Sequence, residues 1–289
     1  MSCRTLPDAS TQWWDQGACP RALAADGVSV LLSPYYKGPR VAPCPVILTV
    51  HDLFFIGYPG QRRPLYDATM TALAWLYARR AAAIVTDSEY SRRAIVARLG
   101  VSQTRVRLIP VALGPEFTPR PGAKIRYGIT SPYVLYVGNF KAHKNLRRQI
   151  AAFARLPRRL RASHALVLAG GDREGRPALE ALGARLGVAD RMIFPGLIAD
   201  TDLPALYSGA SVFVLPSLEE GFGLPALEAM ACGAPVVASN RGALSEVVAD
   251  AGLTVDSEKE TELTEALFSS ERTAGRVLVL LRDVAEGRH

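Results

Sequence analysis

Two carboxylates separated by seven residues, Glu220 and Glu228, frame the chemically richest stretch of this 289-residue chain. They lie in S-V-F-V-L-P-S-L-E-E-G-F-G-L-P-A-L-E-A-M-A-C-G, residues 211–233, with Gly221, Phe222, Gly223 and Leu224 directly after the first glutamate. Glycines let a backbone approach a ligand closely. A glycine loop running into a helix offers unpaired N–H groups and the positive end of the helix dipole to an anion. A phosphate would repel a neighbouring carboxylate, so Glu228, about one turn into that helix, reads as an acceptor for the hydroxyls of a ribose or a sugar. The ligand class that satisfies both features is a sugar joined to a phosphate.

The flanking residues supply the elements that must hold this loop. Val212 to Leu215 is an apolar run suited to a buried strand, ended by Pro216 and Ser217. Pro225 occupies the first helical turn, where proline is tolerated. Gly233 and Pro235 stop the helix. The same G-F-G-L-P-A window also fits the dinucleotide fingerprint G-x-G-x-x-A. That fingerprint expects an acid roughly 20 positions on, whereas the following strand, Pro235 to Ser239, runs into Asn240 and Arg241.

Three further places carry candidate chemistry. A strand from Tyr133 to Val137 leads into G-N-F-K-A-H-K-N-L. There Gly138 makes the turn past Asn139, and Lys141 and Lys144 bring point charges suited to a diphosphate. A strand from Val46 to Val50 runs straight into His51-Asp52-Leu53. Side chains at the carboxyl end of a parallel strand face the ligand crevice, so His51 is a candidate site residue. Asp200-Thr201-Asp202 has the D-x-D spacing that can hold a divalent cation. It also opens a helix, where Asp and Thr serve as N-caps and dipole partners, and no metal is expected there.

Strands and helices alternate along the chain, which specifies an α/β fold with parallel sheets. Helices are expected at 11–25, carrying Trp13 and Trp14 as packing residues, and at 64–82. The second presents Leu65, Tyr66, Met70, Leu73, Leu76 and Tyr77 as an apolar stripe for a sheet. Arg62, Arg63, Arg79 and Arg80 flank it, an arrangement that could alternatively rest on an anionic membrane. Strands are expected at 28–32, 83–86 and 106–109, with a capped helix from Asp87 to Leu99. Beyond Tyr133, strands fall at 166–169, 192–194 and 236–239. Helices fall near 145–156, 176–186, 202–208, 225–231 and 243–249, with a last helical stretch from about 260 to 286. The proline-rich P-V-A-L-G-P-E-F-T-P-R-P-G-A is the expected linker, giving domains 1–118 and 119–289.

With 49% hydrophobic residues the chain can bury large cores. Its four cysteines, at 3, 19, 44 and 232, have neither metal nor disulfide spacing, and reduced thiols in the cytosol are the natural reading. No apolar run reaches the length of a transmembrane helix. A net charge of +7 favours anionic partners, such as nucleotide diphosphates or an anionic membrane surface. Lys and Arg read as scattered along the chain, with nothing like a nucleic-acid-binding module.

E-G-F-G-L-P-A-L-E-A-M-A-C-G resembles the donor-site signature of the retaining family 4 glycosyltransferases, which include bacterial mannosyl- and glucosyltransferases. The resemblance implies a GT-B fold of two Rossmann-like domains facing a cleft. It implies transfer of a sugar from a nucleotide diphosphate to a hydroxyl of a glycan or a lipid-linked saccharide, without a metal cofactor. Glu228 would hold the ribose and Glu220 would lie near the transferred sugar. Lys144 matches the family's lysine, while Asn139 stands where an arginine is usual. H-D-L, with Phe54, Phe55 and Pro59 after it, resembles the loop lining the cleft beside the donor sugar, and T-D-S-E-Y-S-R-R-A-I resembles another acceptor-side segment. Against the family pattern the chain lacks an opening strand, glycine loop and helix and has a short tail. Donor binding with little or no turnover is therefore expected, and a nucleotide-sugar-binding fragment is the alternative to an active enzyme.

Overall fold

The computed structural model of the chain describes residues 14–56, 64–122, 126–171 and 175–269. Two compact units emerge, 1–111 and 112–289, against the sequence expectation of 1–118 and 119–289.

The first unit contains α1 (Cys19–Ala25), β1 (Leu31–Ser33), β2 (Val46–Thr49), α2 (Pro64–Arg80), β3 (Ala83–Thr86), α3 (Glu89–Leu99) and β4 (Val106–Leu108). Its sheet is parallel throughout, in the order β1-β2-β3-β4. The core gathers Leu48, Val50, Ile84, Ile95, Leu99 and Val106 between that sheet and its helices. Ser88 caps α3 by accepting the Ser91 N–H at 3.0 Å, and Gly100 closes it in the left-handed region.

Three local expectations need correction here. The strand expected at 28–32 begins only at Leu31, because Val28 closes the preceding helix. Its N–H donates to the Leu23 carbonyl at 3.0 Å across Gly27, whose φ is +60°. The helix expected at 11–25 splits, with a wide π-turn at Trp14–Ala18 before α1, and Trp14 is 37% exposed; Trp13 lies outside the described residues. The apolar stripe assigned to α2 is buried only in part: Met70, Leu73, Leu76 and Tyr77 are half-buried, and Tyr77 packs against the core. Ala74 and Ala78 are buried, whereas Leu65 is 87% exposed and Tyr66 and Trp75 are also open. Ala74 and Ala78 bring α2 close to the core, with Tyr77 packed beside them. Arg62 and Arg63 lie outside the described residues.

In the second unit the order is β5 (Tyr133–Val137), α4 (Leu146–Arg155), α5 (Arg158–Ser163), β6 (Ala165–Ala169), α6 (Arg176–Arg185), β7 (Met192–Gly196), α7 (Leu203–Ser208), β8 (Val212–Leu215), α8 (Leu224–Ala231), β9 (Val236–Ser239), α9 (Leu244–Val248) and β10 (Leu253–Val255). Residues 260–269 are helical. Three strands, β5, β8 and β9, have the expected bounds; α5 and β10 were not anticipated. The six strands are parallel, in the order β10-β9-β8-β5-β6-β7. Strands β5, β6, β8 and β9 are almost wholly buried, and their apolar runs carry no polar alternation because helices cover both faces. Chain order reverses beside β5, which pairs with β6 on one side and β8 on the other. Such a reversal opens a crevice outside the carboxyl ends of the strands.

Asn145 ties the loops at that edge. It sits in the left-handed region (φ 58°) at the start of α4 and is buried. Its side-chain amide donates to the Pro216 carbonyl at 3.1 Å and the Ser257 carbonyl at 2.9 Å. Replacing it leaves two carbonyls without their donor, at about 1–3 kcal/mol. Asn145→Ala should therefore lower the melting temperature by roughly 2–10 °C; an unchanged calorimetric melt would show that the tie contributes nothing.

Candidate active site

Loops after β5 and β8 meet at the reversal point, and both carry charged groups singled out from the sequence. The β5 loop turns at Gly138 (φ +151°) and bends through Asn139 and Phe140 into a short 3-10 turn, Ala142–Lys144. A Cβ on Gly170, at the end of β6, would fall 1.8 Å from the Gly138 carbonyl oxygen. Only glycine fits at that contact, so the two loops run in backbone contact. The Tyr136 hydroxyl donates to the Asn139 carbonyl at 2.6 Å from a fully buried position. Asn139 itself accepts the Lys141 N–H.

Lys144 and Glu220 are brought together directly. The Lys144 Nζ lies 2.6 Å from Glu220 Oε1, and the buried Ser217 hydroxyl donates to the same oxygen at 2.6 Å. Both donors use Oε1, leaving Oε2 without a protein partner among the described residues. Glu220 is held by its backbone as well: its carbonyl accepts the Ala243 N–H at 3.0 Å. A Cβ on Gly242 (φ +63°) would come within 2.6 Å of its backbone. Lys141 is exposed and has no ion pair among the described residues. His143 between the two lysines is buried, and burial with the flanking cations pushes its pKa down to about 4. It is therefore neutral at physiological pH.

Glu228 is fixed by a different group. Gly223 (φ +102°) starts α8, and a Cβ there would strike Leu244 at 2.4 Å. With Pro225 lacking an N–H, the first turn leaves the Leu224 N–H at the loop. One turn further on, Glu228 Oε2 accepts the hydroxyl of Tyr207 at 2.7 Å. Tyr207 on α7 is fully buried and meets Phe213 edge-on at 5.4 Å. Burial raises the Glu228 pKa; the Tyr207 hydrogen bond opposes that rise, while Asp200 and Glu116 add to it. Glu228 does not pair with Lys144, so the two groups serve different parts of the edge.

Ser217, Tyr207 and Gly242 were missed in the sequence. A serine two residues past a strand and a tyrosine in a short helix carry no motif. The S-N-R-G turn after β9 was a usable signal for Gly242. Asp202, read as a helix cap, needs correction. It occupies the N-cap position of α7, but its carboxylate makes no capping bond and accepts the Tyr127 hydroxyl at 2.7 Å instead.

His51 belongs to the first unit. It follows β2 with its ring 53% exposed, and Nδ1 lies 2.5 Å from Oδ2 of the buried Asp87 at the end of β3. A carboxylate only accepts, so Nδ1 carries the proton and Nε2 is the ring atom left for a ligand. The Ser91 hydroxyl donates to the His51 carbonyl at 2.7 Å and fixes the backbone beneath the ring.

Two α/β units, each built on a parallel sheet, define an architecture of the GT-B type. The chain belongs to the glycosyl transferases group 1 family, whose model matches residues 124–271; a glycosyltransferase family 4 model matches residues 4–117. The chain is 38% identical over 180 residues to the O-antigen chain mannosyltransferase B of Escherichia coli, a match covering 60% of this chain and 47% of that protein. The chain thus spans about half the length of that curated relative. Among solved structures, the sucrose-phosphate synthase of Thermosynechococcus elongatus superposes with a TM-score of 0.73 at 28% identity, over 89% of this chain and 69% of the other. The Anabaena protein HepE, solved in complex with UDP, does so with a TM-score of 0.71 at 20% identity, over 93% of this chain and 80% of its own. Membership of this family removes the dinucleotide reading of G-F-G-L-P-A.

The raised Glu228 pKa has a consequence for stability. The folded state holds that proton more tightly than the unfolded chain, so stability falls as pH rises from the ordinary carboxylate range through the raised value. Glu228→Gln removes this cost. It should melt above the parent at neutral pH, with the gap closing on acidification; a gap that stays constant or widens in acid would contradict the assignment.

Proposed function

We propose that the chain transfers a sugar, with retention of configuration, from a nucleotide diphosphate to a hydroxyl of a glycan or lipid-linked saccharide. One sugar–phosphate bond breaks and one glycosidic bond forms, while the nucleoside diphosphate and a proton depart. A mannosyl donor is favoured by the E. coli O-antigen relative. A nucleoside diphosphate ligand agrees with the UDP named for HepE.

The observation that carries this reading is the pinning of both carboxylates by one oxygen each. Glu220 uses Oε1 for Lys144 and Ser217, and Glu228 uses Oε2 for Tyr207. Each keeps a second oxygen for a hydroxyl donor, as a sugar or ribose supplies. Lys144, Lys141 and the Leu224 N–H would stabilise charge developing on the departing diphosphate, groups already in place before reaction. Gly138, Gly221 and Gly223 let the backbone come close, and Phe222 stands between the latter two. His51 would give Nε2 to a sugar hydroxyl, with Asp87 holding the ring. Protein cations then do the work a metal would do, so none is required.

Hydrogen bonds to a charged group are worth about 1.5–3 kcal/mol. Glu228→Ala should therefore weaken nucleoside diphosphate binding by roughly ten- to a hundred-fold in calorimetry. Parent-like affinity in that variant would overturn the donor-site assignment.

Metal independence has its own test. Binding should survive excess EDTA. Asp202→Ala should leave affinity unchanged while lowering the melting temperature through loss of the Tyr127 bond. Binding abolished by chelator would restore the D-x-D reading.

A further inference from the structure

The chain's charge is not scattered. Residues 117–171 hold eleven Lys and Arg and no Asp or Glu, against a net +7 for the whole chain. Six of these, Arg147, Arg148, Arg155, Arg158, Arg159 and Arg161, fall within fifteen residues on α4 and α5. The fold sorts α4 cleanly: Leu146, Gln149, Ile150, Ala152 and Phe153 are buried against the sheet, leaving its arginines outside.

Only part of this charge is answered. Arg155 pairs with Glu260 at 3.1 Å and Arg148 approaches Glu258 at 4.0 Å. Arg147, Arg158 and Arg159 are exposed, with no ion pair among the described residues. Arg161 keeps a buried Nε without a hydrogen-bond partner. Beside them a groove of about 800 Å³ runs between α4 and α6, lined by Arg147, Arg148 and Arg155 and floored by Ala151, Leu179 and Leu182. Lys144, Glu220 and Glu228 do not line it; one end reaches Lys141, Asn145 and Leu218 beside the carboxylate site, and the arginines line its other part.

We propose that α4 and α5 dock the second unit onto an anionic phospholipid bilayer, with headgroup phosphates on the arginines and the groove receiving the glycerol and upper chain of one lipid. Clusters of four to eight Lys or Arg on a helix are attracted to anionic leaflets, and each contributes separately. Guanidinium groups bind phosphate oxygens in pairs. Nucleic acid fits less well, because single-strand binding needs exposed aromatic rings for stacking. The only ring on α4 and α5, that of Phe153, is fully buried. This surface replaces α2 as the membrane-facing element: α2 ends in Arg79 and Arg80, and Arg79 stacks on Trp75 at 4.8 Å.

The test is co-sedimentation of the full chain with vesicles of phosphatidylcholine alone or with about one-third phosphatidylglycerol. The parent should bind only the anionic vesicles and be released by high salt, as exposed charges are screened. The triple variant Arg147→Gln, Arg158→Gln, Arg159→Gln should lose about tenfold or more in partitioning, with an unchanged melting temperature showing that it folds. Leu65→Ser with Trp75→Ser, on α2, should bind like the parent. The proposal fails if the parent ignores anionic vesicles or binds neutral ones equally. It also fails if the triple variant binds undiminished, or if short DNA or RNA is taken up in preference to vesicles.

Discussion

The side-chain amide of Asn145 is the constraint on which the second unit's functional edge depends. It joins the start of α4 to the loop after β8 and to the turn at Ser257, three segments far apart in sequence. Two of them carry the groups that meet, because Lys144 immediately precedes Asn145 and Glu220 follows Pro216. The Leu218 N–H adds a second tie, donating to the His143 carbonyl at 2.7 Å. The 2.6 Å ion pair between Lys144 and Glu220 is thus imposed by backbone positions rather than gathered by two flexible side chains. That matters energetically, since freezing two long side chains otherwise offsets much of what a pair gains.

Electrostatics then divides the labour along the edge. Glu220 is paired with a lysine and anchored by Ser217, which together fix it in place. Among the described residues Glu228 has no cation, only a tyrosine hydroxyl, and burial pushes its pKa up. Two glutamates one short helix apart are therefore held by different partners, a cation for one and a hydroxyl for the other. The neutral His143 between Lys141 and Lys144 keeps a third positive charge out of the loop.

Much of this was legible in the sequence. Uninterrupted apolar runs between glycines and prolines fixed β5, β8 and β9 because buried parallel strands leave no polar alternation to blur their ends. The Glu220–Glu228 spacing and Lys144 came from local motifs, which persist in one sequence window. What escaped was non-local. Tyr207 reaches Glu228 across 21 positions, and no window holds both. The stripe on α2 was legible only in part: periodicity marks an apolar face but not its depth, and the fully buried residues are Ala74 and Ala78 while Tyr77 is half-buried beside them. The arginine cluster was plainly written but was averaged away by counting charge over the whole chain.

Cys232 closes α8 and is 1% exposed, with its thiol pushed up to about 11 by burial and by the nearby Glu228. Thiolate is the reactive form, so this cysteine is doubly silent while the helix is seated. Cys44 is half-exposed and offers an internal reference on the other unit. The rate at which a thiol reagent reaches Cys232 relative to Cys44 is therefore a clock for the opening of the helix that bears Glu228, built into the unlabelled protein.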